Sequence, residues 1–133
     1  MPFNHNTWAN AVSDFQLKPD KTIDDVLTEP GVVATFASNC WRYDGEASPN
    51  GGRRDLRVDT KVRLIPTASI QAPTLLIVGD RDPAVTVPLC EEALKTLKGE
   101  GSQLKVIHGA AHAMMMEKPH YKEFRESVLA FLK

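Results

Sequence analysis

An unbroken apolar run, Leu75, Leu76, Ile77 and Val78, is stopped by Gly79 and followed at once by Asp80 and Asp82. A run of that kind, with no polar alternation, is the pattern of a parallel strand covered on both faces. Parallel strands need a crossover between them, and residues 87–98 supply one. Leu89, Ala93, Leu94 and Leu97 recur there at helical spacing, with Gly99 and Gly101 closing the segment. A shorter apolar strand follows at 104–107 and ends in His108-Gly109-Ala110-Ala111-His112.

A strand–helix–strand crossover is right-handed in nearly all proteins and makes its two strands parallel, so the loops after Gly79 and Ile107 open on one rim. Functional groups in open parallel sheets stand at the carboxyl ends of strands, where these loops begin. The topology therefore predicts that Asp82 and His112 meet. A carboxylate that accepts from one imidazole nitrogen fixes the tautomer, stabilises the protonated ring and leaves the other nitrogen as a base. Taken alone, a histidine at a strand end is more often solvated or structural than catalytic.

The amino-terminal half reads as helices and turns. Residues 7–16 form a short helix with Trp8, Ala11, Val12 and Phe15 on one side, capped by Thr7 and stopped by Pro19. Thr22, Ile23, Asp24 and Asp25 open a second short helix, broken at Glu29-Pro30-Gly31. A third runs from about 31 to 42, with Val32, Val33, Phe36, Ala37, Cys40 and Trp41 as its packing face. Residues 43–55, with Asp44-Gly45, Ser48-Pro49-Asn50 and Gly51-Gly52, read as an exposed loop. No strand precedes that Gly-Gly pair and no Gly-Lys-Ser/Thr follows it, so it marks a turn and not a phosphate cradle. Leu56, Val58, Val62 and Leu64 alternate as in an extended segment. At the other end, residues 119–133 carry Tyr121, Phe124, Val128, Leu129, Phe131 and Leu132 at helical spacing, started by Pro119.

With 133 residues, 42% of them hydrophobic, the chain is long enough to bury a sizeable core as one domain. A net charge of -1 and no basic run longer than Arg53-Arg54 argue against nucleic acid and anionic membrane as partners. Neither a leader-like amino terminus nor a membrane-length apolar stretch is present, so a cytoplasmic location is expected. The two cysteines, Cys40 and Cys90, lack metal or redox spacing and read as buried thiols.

Four features between Ile70 and Leu132 together resemble the carboxyl-terminal part of an α/β-hydrolase. They are the Ile-x-Ala-Pro-Thr-Leu-Leu-Ile lead into the strand at Ile70, the Gly79-x-x-Asp82 pair, the Gly109-Ala110-Ala111-His112 loop, and Glu117-Lys118-Pro119 before a helix ending in Phe131-Leu132. The resemblance implies an α/β chain with a partial α/β-hydrolase fold: two parallel core strands with a crossover helix and a carboxyl-terminal helix, preceded by lid-like helices. It assigns Asp82 as triad acid and His112 as triad base, with Asp80 a neighbour and Glu117 a structural bond to the histidine loop. Ala111 stands where the family commonly has glycine, a departure that affects loop shape. Residues 1–65 resemble, less specifically, a lid segment with its return loop, and 66–133 the end of the core.

The remaining family pattern is missing from the sequence. An α/β-hydrolase carries its nucleophile on a strained strand-to-helix turn before the acid in chain order. No Gly-x-Ser-x-Gly occurs, nor the same frame around Cys or Asp, nor a His-Gly oxyanion signature before Asp82. Ser38, Cys40 and Ser69 are the nearest upstream candidates, and none sits in an elbow pattern. The first expectation is therefore part of a hydrolase whose parent cleaves an ester, lactone or similar bond in a small molecule. Such a chain is inactive alone, self-associates or is completed by an amino-terminal half, and needs no cofactor. The second is a non-catalytic binding or assembly module on the same fold, with Trp8 and Trp41 contacting a ligand or another chain. A metal site at His108 and His112 is a distant third, since no His-Glu-x-x-His helix exists.

Overall fold

The computed structural model describes residues 3–5, 7, 12, 15, 17–44, 47–49 and 65–133. The elements in chain order are β1 (Phe3–His5), α1 (Pro30–Asp44), β2 (Ala47–Pro49), β3 (Leu75–Gly79), α2 (Val87–Thr96), β4 (Gln103–Ile107) and α3 (Tyr121–Phe131). Short 3-10 turns stand at Thr67–Ser69 and Met114–Met116.

The parallel pair is the framework for everything that follows. β3 and β4 run parallel in the register Leu75↔Gln103 to Gly79↔Ile107, with α2 as the crossover. Alternation along the strands puts Leu75, Ile77, Gln103, Lys105 and Ile107 on one face. That face carries α3: Ile77 and Phe124 pack against the cluster of Ile107, Ala110 and Met114, and Lys105 Nζ meets Glu123 Oε1 at 2.7 Å. α2 packs on the same two strands. Pro88 lies in its first turn, where a missing N–H costs nothing, and Thr86 precedes it in extended conformation. The helix turns Cys90 inward and leaves Leu89 exposed, so the buried side is rotated from the one the spacing marked. Pro119 lies ahead of α3 and not at its first position, because His120 and Tyr121 first close a turn onto Glu117 O.

β3 is less covered than an apolar run of its kind implies. Val78 is buried, but Leu75, Leu76 and Ile77 are only partly so. Among the described residues β3 pairs with β4 alone, and an open groove of about 530 Å³ runs along it, lined by Thr74, Leu75, Ile77, Phe124, Val128 and Phe131.

The amino-terminal half differs more from its sequence reading. The helix expected at Thr22 is a pair of turns. Asp20 Oδ1 accepts from both the Thr22 amide (3.0 Å) and the Thr22 hydroxyl (2.6 Å), and Lys18 N donates to Thr22 O. An aspartate that captures groups two residues on reverses the chain locally and competes with helix formation. Leu17 and Ile23 then form an isolated antiparallel bridge, and 24–28 close a single turn on Asp24. Pro30 does not act as a breaker; it opens α1, as its fixed φ favours. Val33 and Ala37 are the buried seam of α1, with Phe36 and Cys40 half-buried, whereas Val32 and Trp41 are exposed. Trp41 is therefore not a core residue. Part of the expected loop at 43–55 is strand, since β2 pairs antiparallel with β1, Phe3 opposite Pro49. Among the described residues the amino-terminal half, expected to be lid-like helices, thus contains one helix, α1. The expected helix at 7–16 and extended segment at 56–64 lie outside the described residues, apart from Thr7, Val12 and Phe15.

This half nevertheless sits on the histidine loop. Val12, Phe15 and Val33 share a buried cluster with Ala113, and Phe36 and Met116 pack against it. Lys118 ties the two from the other side: its amide donates to Leu27 O at 2.7 Å, and its Nζ reaches Asp25 O at 2.9 Å and Glu29 Oε1 at 2.8 Å.

Candidate functional site

The loops after β3 and β4 touch because Gly79 lets them. A Cβ built on Gly79 would lie 2.2 Å from Ala110 O, so only a hydrogen fits where the first loop leaves the sheet. Backbone bonds then join the loops: Asp80 N to Ile107 O at 3.3 Å and Arg81 N to Ala110 O at 3.0 Å. Gly109, with φ +80, supplies the left-handed turn that folds the second loop back.

Asp82 and His112 meet on this rim, as the crossover predicts. His112 Nδ1 donates to Asp82 Oδ2 at 2.7 Å. The other oxygen of Asp82, Oδ1, accepts from the amides of Ala84 (2.7 Å) and Val85 (2.9 Å), which fix the carboxylate within its own loop. The Asp82 side chain is only 3% exposed, while that of His112 is 42% exposed. Burial by itself pushes the Asp82 carboxyl up. The Val85 amide, His112 and the Ala84 amide outweigh it and hold the group below the usual aspartate range. An ionised carboxylate only accepts, so the proton on Nδ1 is fixed by this bond and the Nε2 lone pair is left for other work.

A second aspartate–histidine pair stands beside the first. His108 Nδ1 donates to Asp80 Oδ2 at 3.0 Å, and Gly109 N donates to Asp80 Oδ1 at 2.7 Å. The bond to His108 and then that to Gly109 hold the Asp80 carboxyl below its ordinary range. Here both side chains are open to water, 86% for His108 and 36% for Asp80. Asp80 is thus more than a neighbour of the triad acid; the signal for its pairing is the two acids after one strand, Asp80 and Asp82, facing two histidines after the next, His108 and His112.

Glu117 lies beneath the histidine loop, fully buried, and takes the Ala111 amide at 3.2 and 3.4 Å on its two oxygens, the bond expected of it. Burial pushes its carboxyl up, against the opposing pull of the Ala111 amide and of His120, whose Nε2 lies 3.7 Å away.

The upstream nucleophile candidates stand elsewhere in the fold. Ser38 and Cys40 lie within α1, and Ser69 ends the 3-10 turn before β3. None of the three is on a strand-to-helix turn. Both cysteines are free thiols, Cys90 buried and Cys40 half-buried. His108 and His112 engage different aspartates, and the described residues hold no grouping of three side chains suited to a metal ion. No helix among them is long and apolar enough to cross a membrane.

A family model described as serine aminopeptidase, S33, matches residues 3–119, so the likeness takes in the amino-terminal half of this chain as well as the strand pair. No curated protein matches the chain, and no solved structure does. With the family match spanning most of its length, the chain belongs to the S33 serine aminopeptidase family and is a hydrolase of the α/β-hydrolase superfamily.

Proposed function

We propose that Asp82 and His112 are the acid and base of an α/β-hydrolase triad. On this reading the chain is the carboxyl-terminal portion of an enzyme cleaving an ester, lactone or similar bond in a small molecule. One observation carries it: a buried carboxylate with both oxygens engaged, holding by a 2.7 Å bond an imidazole that opens to solvent. In that role His112 takes the proton of a nucleophile through Nε2 and returns it to the leaving group, while Asp82 stabilises the imidazolium. Residues 66–133 are the end of the core and 1–65 the lid and return segment. The open side of β3 receives a strand of the complementing half or, without it, of a second copy.

Acyl transfer further requires an activated nucleophile and donors aimed at the oxyanion. Since Ser38, Cys40 and Ser69 occupy no elbow, the complementing half supplies both. The test is co-expression with the amino-terminal half of a family member that retains its nucleophile elbow. Hydrolysis of short nitrophenyl esters should appear in the complex and vanish with His112→Ala. Turnover in the complex that survives His112→Ala would overturn the assignment.

A second reading, a binding module without chemistry, draws on an open groove of about 440 Å³ along α1, lined by Gly31, Val32, Thr35, Phe36, Asn39 and Met116. A ligand seated there, with no hydrolysis in any complemented form, would favour it.

A further inference from the structure

The histidine loop is gripped by a carboxylate from each side. Glu117 holds the Ala111 amide from beneath, and Asp80 holds the Gly109 amide from the rim. The acid of the other pair needs no such help, because Asp82 is fixed by amides of its own loop. His112, by contrast, rides on a loop whose backbone bonds at its start are long: 3.4 Å from Ala110 N and 3.3 Å from Asp80 N, both to Ile107 O. The Asp80 carboxylate adds a 2.7 Å bond to Gly109 N and a 3.0 Å bond to His108 Nδ1. Bonds to an ionised acceptor are shorter and roughly twice as strong as neutral ones. At 2.7 Å, the Asp80–Gly109 contact equals the Asp82–His112 bond and is shorter than the backbone bonds between the two loops.

We propose that Asp80 is a positioning residue: by clipping the turn at His108 and Gly109 to the end of β3, it sets the His112 ring against Asp82. This rests on reading Asp82 and His112 as the working pair. Both oxygens of Asp80 act on the loop that carries His112, so it reaches the ring's proton only through the ring's placement against Asp82. Placement is what a proton-transferring group cannot lose, since a shift of about 1 Å can cost on the order of a hundredfold in rate.

The experiment is nitrogen-15 NMR of the imidazoles of the chain alone, at a pH where His112 is neutral, with unfolding by urea followed in parallel. The wild-type ring should show the Nδ1–H tautomer that the Asp82 bond imposes. Asp80→Ala should lose that signature in favour of Nε2–H, and Asp80→Asn should shift it less, because one amide oxygen still accepts from Gly109 N. His108→Ala should leave it unchanged, since the Gly109 bond survives. A purely structural role for Asp80 would lower the urea midpoint without moving the tautomer. A wild-type tautomer in Asp80→Ala overturns the proposal, as does one in Asp80→Leu, which also removes both acceptor oxygens, should the alanine variant not fold. The readout needs neither a nucleophile nor turnover. Failure of complementation therefore leaves it standing, and its own failure leaves Asp82 and His112 in their roles.

Discussion

Two aspartate–histidine pairs bridge the same two loops, each with Nδ1 donating to a carboxylate Oδ2, at 2.7 Å for Asp82–His112 and 3.0 Å for Asp80–His108. Their surroundings differ. Asp82 is sealed from water and has two amides on its second oxygen; Asp80 and His108 face solvent. Water competes for the exposed pair and screens it, which reduces what the pair adds to stability. Around the buried acid the effective dielectric is lower than in bulk water, so that contact is screened less. Contact between an acid and a histidine is therefore a poor guide to function; the burial of the acid and the completeness of its bonds separate the two pairs.

The largest effect should come from a change that strikes both pairs at once. Gly79→Ala places a Cβ against Ala110 O and must drive the loops apart. We expect a loss of about 3 kcal/mol, measured by urea unfolding, of the kind that overpacking causes. A variant as stable as wild type would show that the loops are not locked there.

Removing the acids one at a time sharpens the comparison. Asp82→Ala strips a buried acceptor from His112 and the amides of Ala84 and Val85, and should cost about 2 kcal/mol. Asp80→Ala should cost clearly less, because water can replace it at an exposed site. Equal urea midpoints for the two variants would break the distinction drawn from burial.

A smaller effect lies in the pH dependence. The Asp82 carboxyl is held below its unfolded value, so its contribution is present above about pH 4 and is lost as pH falls through the folded value. Glu117 is shifted the other way. Its contribution is present below about pH 4.3 and is lost as pH rises through its raised folded value. Urea midpoints from pH 3 to 8 should thus fall less on the alkaline side in Glu117→Gln than in wild type, and less on the acid side in Asp82→Asn. Superimposable profiles would show that neither burial nor the amide bonds act as described.

The parts legible in the sequence were those set by local apolar pattern. The run at Leu75 to Val78, the stripe through Ala93 and Leu94 and the strand before His108 were enough to give a parallel pair. The rule of crossover handedness then brought Asp82 and His112 to one rim. What escaped depended on partners far along the chain or on side chains competing with the backbone. Asp20 captured Thr22 and prevented a helix, and β2 found β1 across most of the amino-terminal half. Lys118 clamped the carbonyls of Asp25 and Leu27. Trp41 had the right spacing for the core, but α1 buries a narrow seam at Val33 and Ala37 and leaves it outside. The grip of Asp80 on Gly109 was hidden because it depends on a left-handed turn that sequence alone did not mark.

On the proposed function, this chain carries an acid–base pair without its nucleophile. That reading is tested most directly by hydrolysis of a panel of short nitrophenyl esters by the isolated chain, alongside His112→Ala and Asp82→Asn. Rates no higher than those of a surface histidine, unchanged by either substitution, are the predicted result. Saturable turnover abolished by His112→Ala would contradict it, and replacement of Ser38, Cys40 and Ser69 in turn would then identify the nucleophile.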